Sequence, residues 1–185
     1  MQEDFNVKDI YEVIPKEVIK SIFNGYNLDL INGKSALFHW CRVMENALVI
    51  SEYNKANKKV IIAFSFFHKS KRENEEFDQN ESKNSALFLE YFEEDINLTE
   101  EEFILAHKAC LEYDLGLIPE DKTIATCWDG EKLDSMRIGL YPDSKKMITD
   151  CAKNTGIITW AMKRSLSQNI SPWINELIKD INDCS

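Results

Sequence analysis

A mostly helical, single-domain protein is what the sequence predicts, and three observations carry that expectation. Apolar residues recur at helical spacing along most of the chain, and only six Gly and four Pro punctuate its 185 residues. The one strand-like run, Val60 to His68, has no partner strand elsewhere, so a buried helix is preferred for it. With 44% hydrophobic residues the chain has the means for one core and, at this length, hardly room for two, which also excludes disorder.

The elements follow in order. Asn6 to Asn24 reads helical through Val7, Ile10, Val13 and Ile14, with Pro15 starting a second helix through Val18, Ile19, Ile22 and Phe23 that Gly25 stops. Ser35 to Tyr53 is a long helix whose apolar face holds Ala36, Trp40, Val43, Met44, Ala47 and Leu48. His39 lies four residues before Val43 on that same inward side. Lys69 to Ser82 is a charged loop, and a helix resumes over Ser85 to Tyr91. Thr99 and Glu102 fit a capping box, so the next helix starts near Glu100 and runs to Gly116. Thr123 to Met136 is helical before Pro142 interrupts, and Ser171-Pro172 introduces an amphipathic last helix through Trp173, Ile174, Leu177, Ile178 and Ile181.

Five cysteines, Cys41, Cys110, Cys127, Cys151 and Cys184, are widely spaced and odd in number, which argues for reduced thiols used as small core hydrophobes. No apolar run reaches the length of a membrane span, and the amino-terminal Met-Gln-Glu-Asp-Phe is acidic where a secretory signal is basic, so a cytoplasmic protein without a membrane partner is expected. Net charge is −10, and it is unevenly spread: Glu73 to Asp134 carries −15 and the remainder +5. Seven carboxylates and no Lys or Arg lie between Lys83 and Lys108. Such a surface repels nucleic acid and attracts a basic protein. The same charge on a merely solvated face would only aid solubility.

Three segments carry a resemblance. Phe38-His39-Trp40-Cys41-Arg42, then Phe67-His68-Lys69-Ser70-Lys71-Arg72, then Thr126-Cys127-Trp128-Asp129-Gly130-Glu131 with Arg137-Ile138-Gly139, resemble in order, spacing and helical setting the HD domain family of metal-dependent phosphohydrolases. The resemblance covers roughly residues 30 to 150, with carboxy-terminal helices in 151 to 185. It implies a helical pocket in which imidazoles and carboxylates hold a divalent metal that makes a hydroxide for attack on phosphorus. By that resemblance the first ligand histidine is His39, the histidine of the vicinal pair is His68 and the late aspartate is Asp129. The aspartate of the pair is Lys69, a cation that cannot coordinate while charged. Two further metal-binding histidines of some members fall at Glu81 and Tyr113, with the loop before Glu81 leaving that register open.

A pocket with Lys69 in that place is expected to be vestigial, made of His39, His68, Lys69 and Asp129, with the ammonium reaching towards Asp129 and no cofactor required. The expected function is protein binding: an acidic inhibitor or immunity protein neutralising a basic toxin such as a nuclease. Its contact residues would be Glu73, Glu75, Glu76 and Asp78 in the charged loop and Glu93, Glu94, Asp95, Glu100, Glu101 and Glu102 around the next connection. The alternative is a residual phosphohydrolase for a nucleotide or small phosphate ester, with one divalent metal on His39, His68 and Asp129 and a carboxylate such as Glu81 or Asp78 in support. A third possibility, nucleotide binding without cleavage, would use Lys69, Lys71 and Arg72. His107, Ser70 and the four tryptophans read as structural side chains.

Overall fold

The computed structural model describes residues 5–76, 78–167 and 170–182, and over them the chain is helical with no strand. Nine α-helices follow in order: α1 (Val7–Tyr11), α2 (Lys16–Asn24), α3 (Leu37–Asn54), α4 (Lys58–Phe67), α5 (Glu81–Tyr91), α6 (Glu100–Glu112), α7 (Lys122–Leu133), α8 (Thr155–Ser167) and α9 (Pro172–Asn182). Cys184 and the first four residues lie outside the described residues.

Twelve of the 18 residues of α3 are buried, which makes it the central helix, packed along α7 and α4 and touched by α8. The eight residues Val60–Phe67 of α4 are all buried too, so the strand-like run is a core helix. Its start is set by Asn57, whose side chain accepts hydrogen bonds from the amides of Lys59 and Val60. The Thr99–Glu102 capping box forms with both its hydrogen bonds at the start of α6. At the other end of the chain, α9 packs on α1 and α2 and sets Trp173 edge-on against Phe5. A smaller core of Ile50, Leu133, Met147, Ala152, Ile158 and Ala161 lies beneath α8.

Several elements differ from expectation, among them α7, which ends at Leu133 and not Met136. α5 begins at Glu81, not near Ser85, so Glu81 is a buried first-turn residue instead of a loop residue. α6 ends at Glu112, and turns carry the chain to Gly116, whose φ of +68° suits glycine. α8 falls among the carboxy-terminal helices expected over 151 to 185, but its bounds were not legible: Thr155, Ile157, Ile158 and Thr159 are β-branched and weaken the helical signal. Its start is marked by Asn154, whose side chain accepts from the Gly156 amide. No described helix is long and apolar enough to cross a membrane.

Gly130 decides how closely α3 and α7 approach. A Cβ there would stand 2.8 Å from the Val43 carbonyl oxygen and 2.9 Å from the Ala47 Cβ. The Asn46 side chain, donating to the Gly130 carbonyl at 3.1 Å, ties the two helices at the same level. Gly130→Ala is therefore expected to lower stability by about 1–3 kcal/mol, although alanine is the better helix former. Urea denaturation checks this, and an unchanged or raised midpoint would contradict the close approach.

Candidate functional site

The site lies where α3, α7 and the carboxy-terminal end of α4 meet the start of α5. His39 projects from the first turn of α3, and its Nδ1 stands 2.8 Å from Asp134 Oδ2. Asp134 also accepts from Arg42 Nε at 2.7 Å and from Arg42 Nη2 at 3.1 Å. The carboxylate accepts, so Nδ1 of His39 carries the proton and its Nε2 is bare; that nitrogen is buried and without a hydrogen-bond partner. Burial, then the charges of Arg137 and Lys69, hold the His39 pKa well below its ordinary value.

His68 is arranged the same way. Its Nδ1 faces the carbonyl oxygens of Ser65 at 3.0 Å and Phe64 at 3.1 Å. Carbonyls only accept, so Nδ1 donates and Nε2 is again bare, buried and unpartnered. Burial and the neighbouring Lys69 ammonium push its pKa down to about 3. The two neutral rings lie with centroids 5.5 Å apart.

Lys69 fills the space beside them. Its side chain is 5% exposed, and its ammonium donates to the Tyr113 hydroxyl at 3.1 Å, with Glu131 Oε1 at 3.4 Å and Glu81 Oε1 at 3.8 Å. Glu81 is held from its other side by Arg72 at 2.7 Å, and Glu131 by Arg137 at 3.6 Å. Burial alone would raise the Glu131 pKa, but Lys69 and Arg137 outweigh it and bring it down to about 2. At Glu81 burial wins over Lys69 and Arg72, and the pKa is raised. Outside this network lies a cavity of about 650 Å³ whose lining includes Lys69, Arg72, Tyr113 and Arg137, with Glu75, Glu76, Asp78 and Asp114 among its acids.

Asp129 is not part of the pocket. Its carboxylate accepts from the amides of Ile148 (2.9 Å) and Thr149 (2.7 Å) and from the Thr149 hydroxyl (2.8 Å), and so fixes the segment that leads to α8. The expected approach of Lys69 to Asp129 is thus replaced by pairs with Glu131 and Glu81. Helical phase is the reason: at about 100° per residue, Asp129 and Glu131 stand about 160° apart on opposite flanks of Gly130, and Asp134 lies on the Glu131 side. Glu131, Asp134, Arg42 and Arg137 are the site residues the sequence reading missed; the three-residue spacing of Glu131 and Asp134 was the available signal that these two share a helix side.

The acidic residues divide into two groups. Glu73, Glu75 and Glu76 are exposed at one end of α5, and Glu93, Glu94, Asp95, Glu100 and Glu101 at the other, roughly 16 Å of helix apart. Asp78 and Glu102 are engaged locally, Asp78 by the Glu73 and Asn80 amides and Glu102 by Thr99 and the Asn57 side chain. Cys41, Cys110 and Cys127 are buried free thiols. Trp40, Trp128 and Trp173 donate to Ser35, Ala109 and Glu45. Ser70 is spent on the Phe67 carbonyl.

The donors present fit a divalent metal only in part. Two bare imidazole nitrogens suit one, but the carboxylates nearest Lys69 are neutralised by Lys69, Arg72 and Arg137, and Asp129 faces elsewhere. Among the described residues no group of three or more His, Cys, Asp or Glu is disposed to hold a metal ion. Comparison with protein-family models, curated proteins and solved structures finds no match to this chain.

The depressed histidine sets a pH dependence. His68 is neutral in the fold down to about pH 3, whereas in the unfolded chain it takes up a proton near 6.5. Stability present above pH 6.5 is therefore lost as pH falls, by about 2 kcal/mol at pH 5 from His68, and His39 acts in the same direction. In His68→Asn, which keeps a donor for the two carbonyls, the loss between pH 7 and pH 5 should be smaller by that amount. Glu81 and Asp129, with raised pKa values, act oppositely but are common to both proteins. Equal pH slopes in urea denaturation would contradict a buried neutral His68.

Proposed function

We propose that the chain is a catalytically degenerate HD-like domain that works in the cytoplasm by binding another protein, as an acidic inhibitor or immunity protein that covers the positive cleft of a basic toxin such as a nuclease. The observation that carries this reading is the Lys69 ammonium, buried among Tyr113, Glu131 and Glu81 next to two bare imidazoles. A cation supplied by the protein stands beside the nitrogens that the resemblance would give to a metal ion, which supports a pocket kept for its fold and not for hydrolysis. The exposed carboxylates at both ends of α5 then offer a basic partner its complement.

A second reading has one observation in its favour. Fixing Nδ1 by a carboxylate or carbonyl and leaving Nε2 free is how metal-binding histidines are oriented, and both His39 and His68 have it. In that reading the protein is a residual phosphohydrolase for a nucleotide or small phosphate ester, and its metal would use these two nitrogens.

Affinity capture from lysate of the source cell at low salt separates the two. The protein should retain a basic partner, and changing Glu75, Glu76, Glu93 and Glu94 to Gln should slow association and flatten its salt dependence, with the melting temperature nearly unchanged. An acidic partner, or association equally fast in the variant, would contradict the charge basis of the proposal. Hydrolysis of a nucleotide in the presence of manganese, abolished by His39→Ala with the fold intact, would establish the second reading instead.

A further inference from the structure

The outer face of α6 exposes Ile104 and Leu111 among Glu100, Glu101 and Lys108. Ile104 is 56% exposed and Leu115, just beyond the helix, is 63% exposed. Ile104 and Leu111, seven residues apart, share one side of α6, and Leu115 lies beyond its end, where it lines a cavity together with Leu111. Beside them, between α5 and α6, runs a groove of about 390 Å³ lined by Phe103, Ile104, His107, Lys108 and Leu111 with Glu90 and Glu93, and His107 Nε2 stands 3.9 Å from Glu90. Leu111 and Leu115 also line the cavity over Lys69, so the stripe leads from the groove to that cavity. Nothing in the described chain packs over Ile104 or Leu115.

We propose that this stripe is the docking surface for an amphipathic basic helix of a protein partner, laid along α6 with its apolar side on Ile104, Leu111 and Leu115 and its Lys or Arg residues towards Glu90 and Glu93. The proposal rests on the protein-binding reading above and names its surface. Charge selects the occupant. Glu90, Glu93, Glu100 and Glu101 are exposed near the groove or at the amino-terminal end of α6, and they outnumber Lys108, the one lysine in the groove's lining. A second copy, with net charge −10, would bring the same carboxylates against each other across a two-fold contact. An anionic lipid surface would be repelled in the same way. A helix with a leucine-like stripe and cationic flanks satisfies both the apolar strip and the acidic rim.

The test uses the full chain, ¹⁵N-labelled, titrated with a synthetic amphipathic helix of about four turns, leucine on one side and lysine on the other. Amide shifts should concentrate on Glu90, Glu93 and the Ile104–Leu115 stretch. Ile104→Asp and Leu111→Asp, both at exposed positions, should each weaken binding about tenfold or more without changing the melting temperature. The same peptide with glutamate for lysine should not bind.

Equal binding of the acidic peptide overturns the choice of a basic partner, and absence of binding by the lysine peptide overturns the surface. Shifts confined to the Glu73–Asp78 loop also overturn it while leaving the protein-binding reading in place, because that reading is judged by lysate capture without this peptide. Sedimentation showing a dimer that Ile104→Asp dissociates would make a second copy the occupant and overturn the proposal.

Discussion

Everything at this site depends on one buried ammonium. Lys69 stands at the end of α4, Glu81 opens α5, Tyr113 ends α6 and Glu131 lies in α7, so four helices meet at its Nζ. Removing that many charges from water is costly, and the cost is recovered only when each charge is paired and hydrogen-bonded. Every charge here is paired, and hydrogen bonds join Lys69 to Tyr113 and Arg72 to Glu81, while Glu81 Oε1 faces Lys69 at 3.8 Å without a hydrogen bond. Arg72 takes the second oxygen of Glu81 and Arg137 supports Glu131, which extends the pairing to the rim of the cavity. The network thereby fixes how the helix ends sit around the pocket, a constraint of geometry more than a source of net stability.

The histidines follow from the same charge. Two buried imidazoles beside an ammonium have every reason to remain neutral, and Asp134 and the carbonyls of Phe64 and Ser65 decide which nitrogen keeps the proton. What results is a pair of oriented, bare Nε2 atoms with no partner. A pocket of this kind has the orientation of a metal site and the charge balance of an ion-pair network. The proposed loss of hydrolytic function lies in that mismatch, and it leaves the outer acidic surfaces and the α6 stripe as the parts of the molecule free to meet a partner.

Much of the fold was legible because local signals agreed with the tertiary result. The Thr99–Glu102 box, the Pro15 and Gly25 boundaries and the apolar face of α3 each mark a helix by chemistry that acts within a few residues. The site was legible only in part. His39, His68 and Lys69 come together as neighbours on α3 and α4, whereas Asp129 and Glu131 flank Gly130 on one helix, and tertiary packing, not spacing, decides which of them meets Lys69. The bounds of α8 within the expected carboxy-terminal helices were not legible for a local reason, its β-branched start.

The most direct measurement is the stability of Lys69→Met at pH 7. Methionine keeps most of the side-chain volume but leaves Glu131 and Glu81 short of their shared cation, so unfolding in urea should show a loss of roughly 3–5 kcal/mol, as expected when one partner of a buried pair is removed. A variant as stable as the natural protein would mean that the ammonium does not hold the pocket together, and the account built on it would be contradicted.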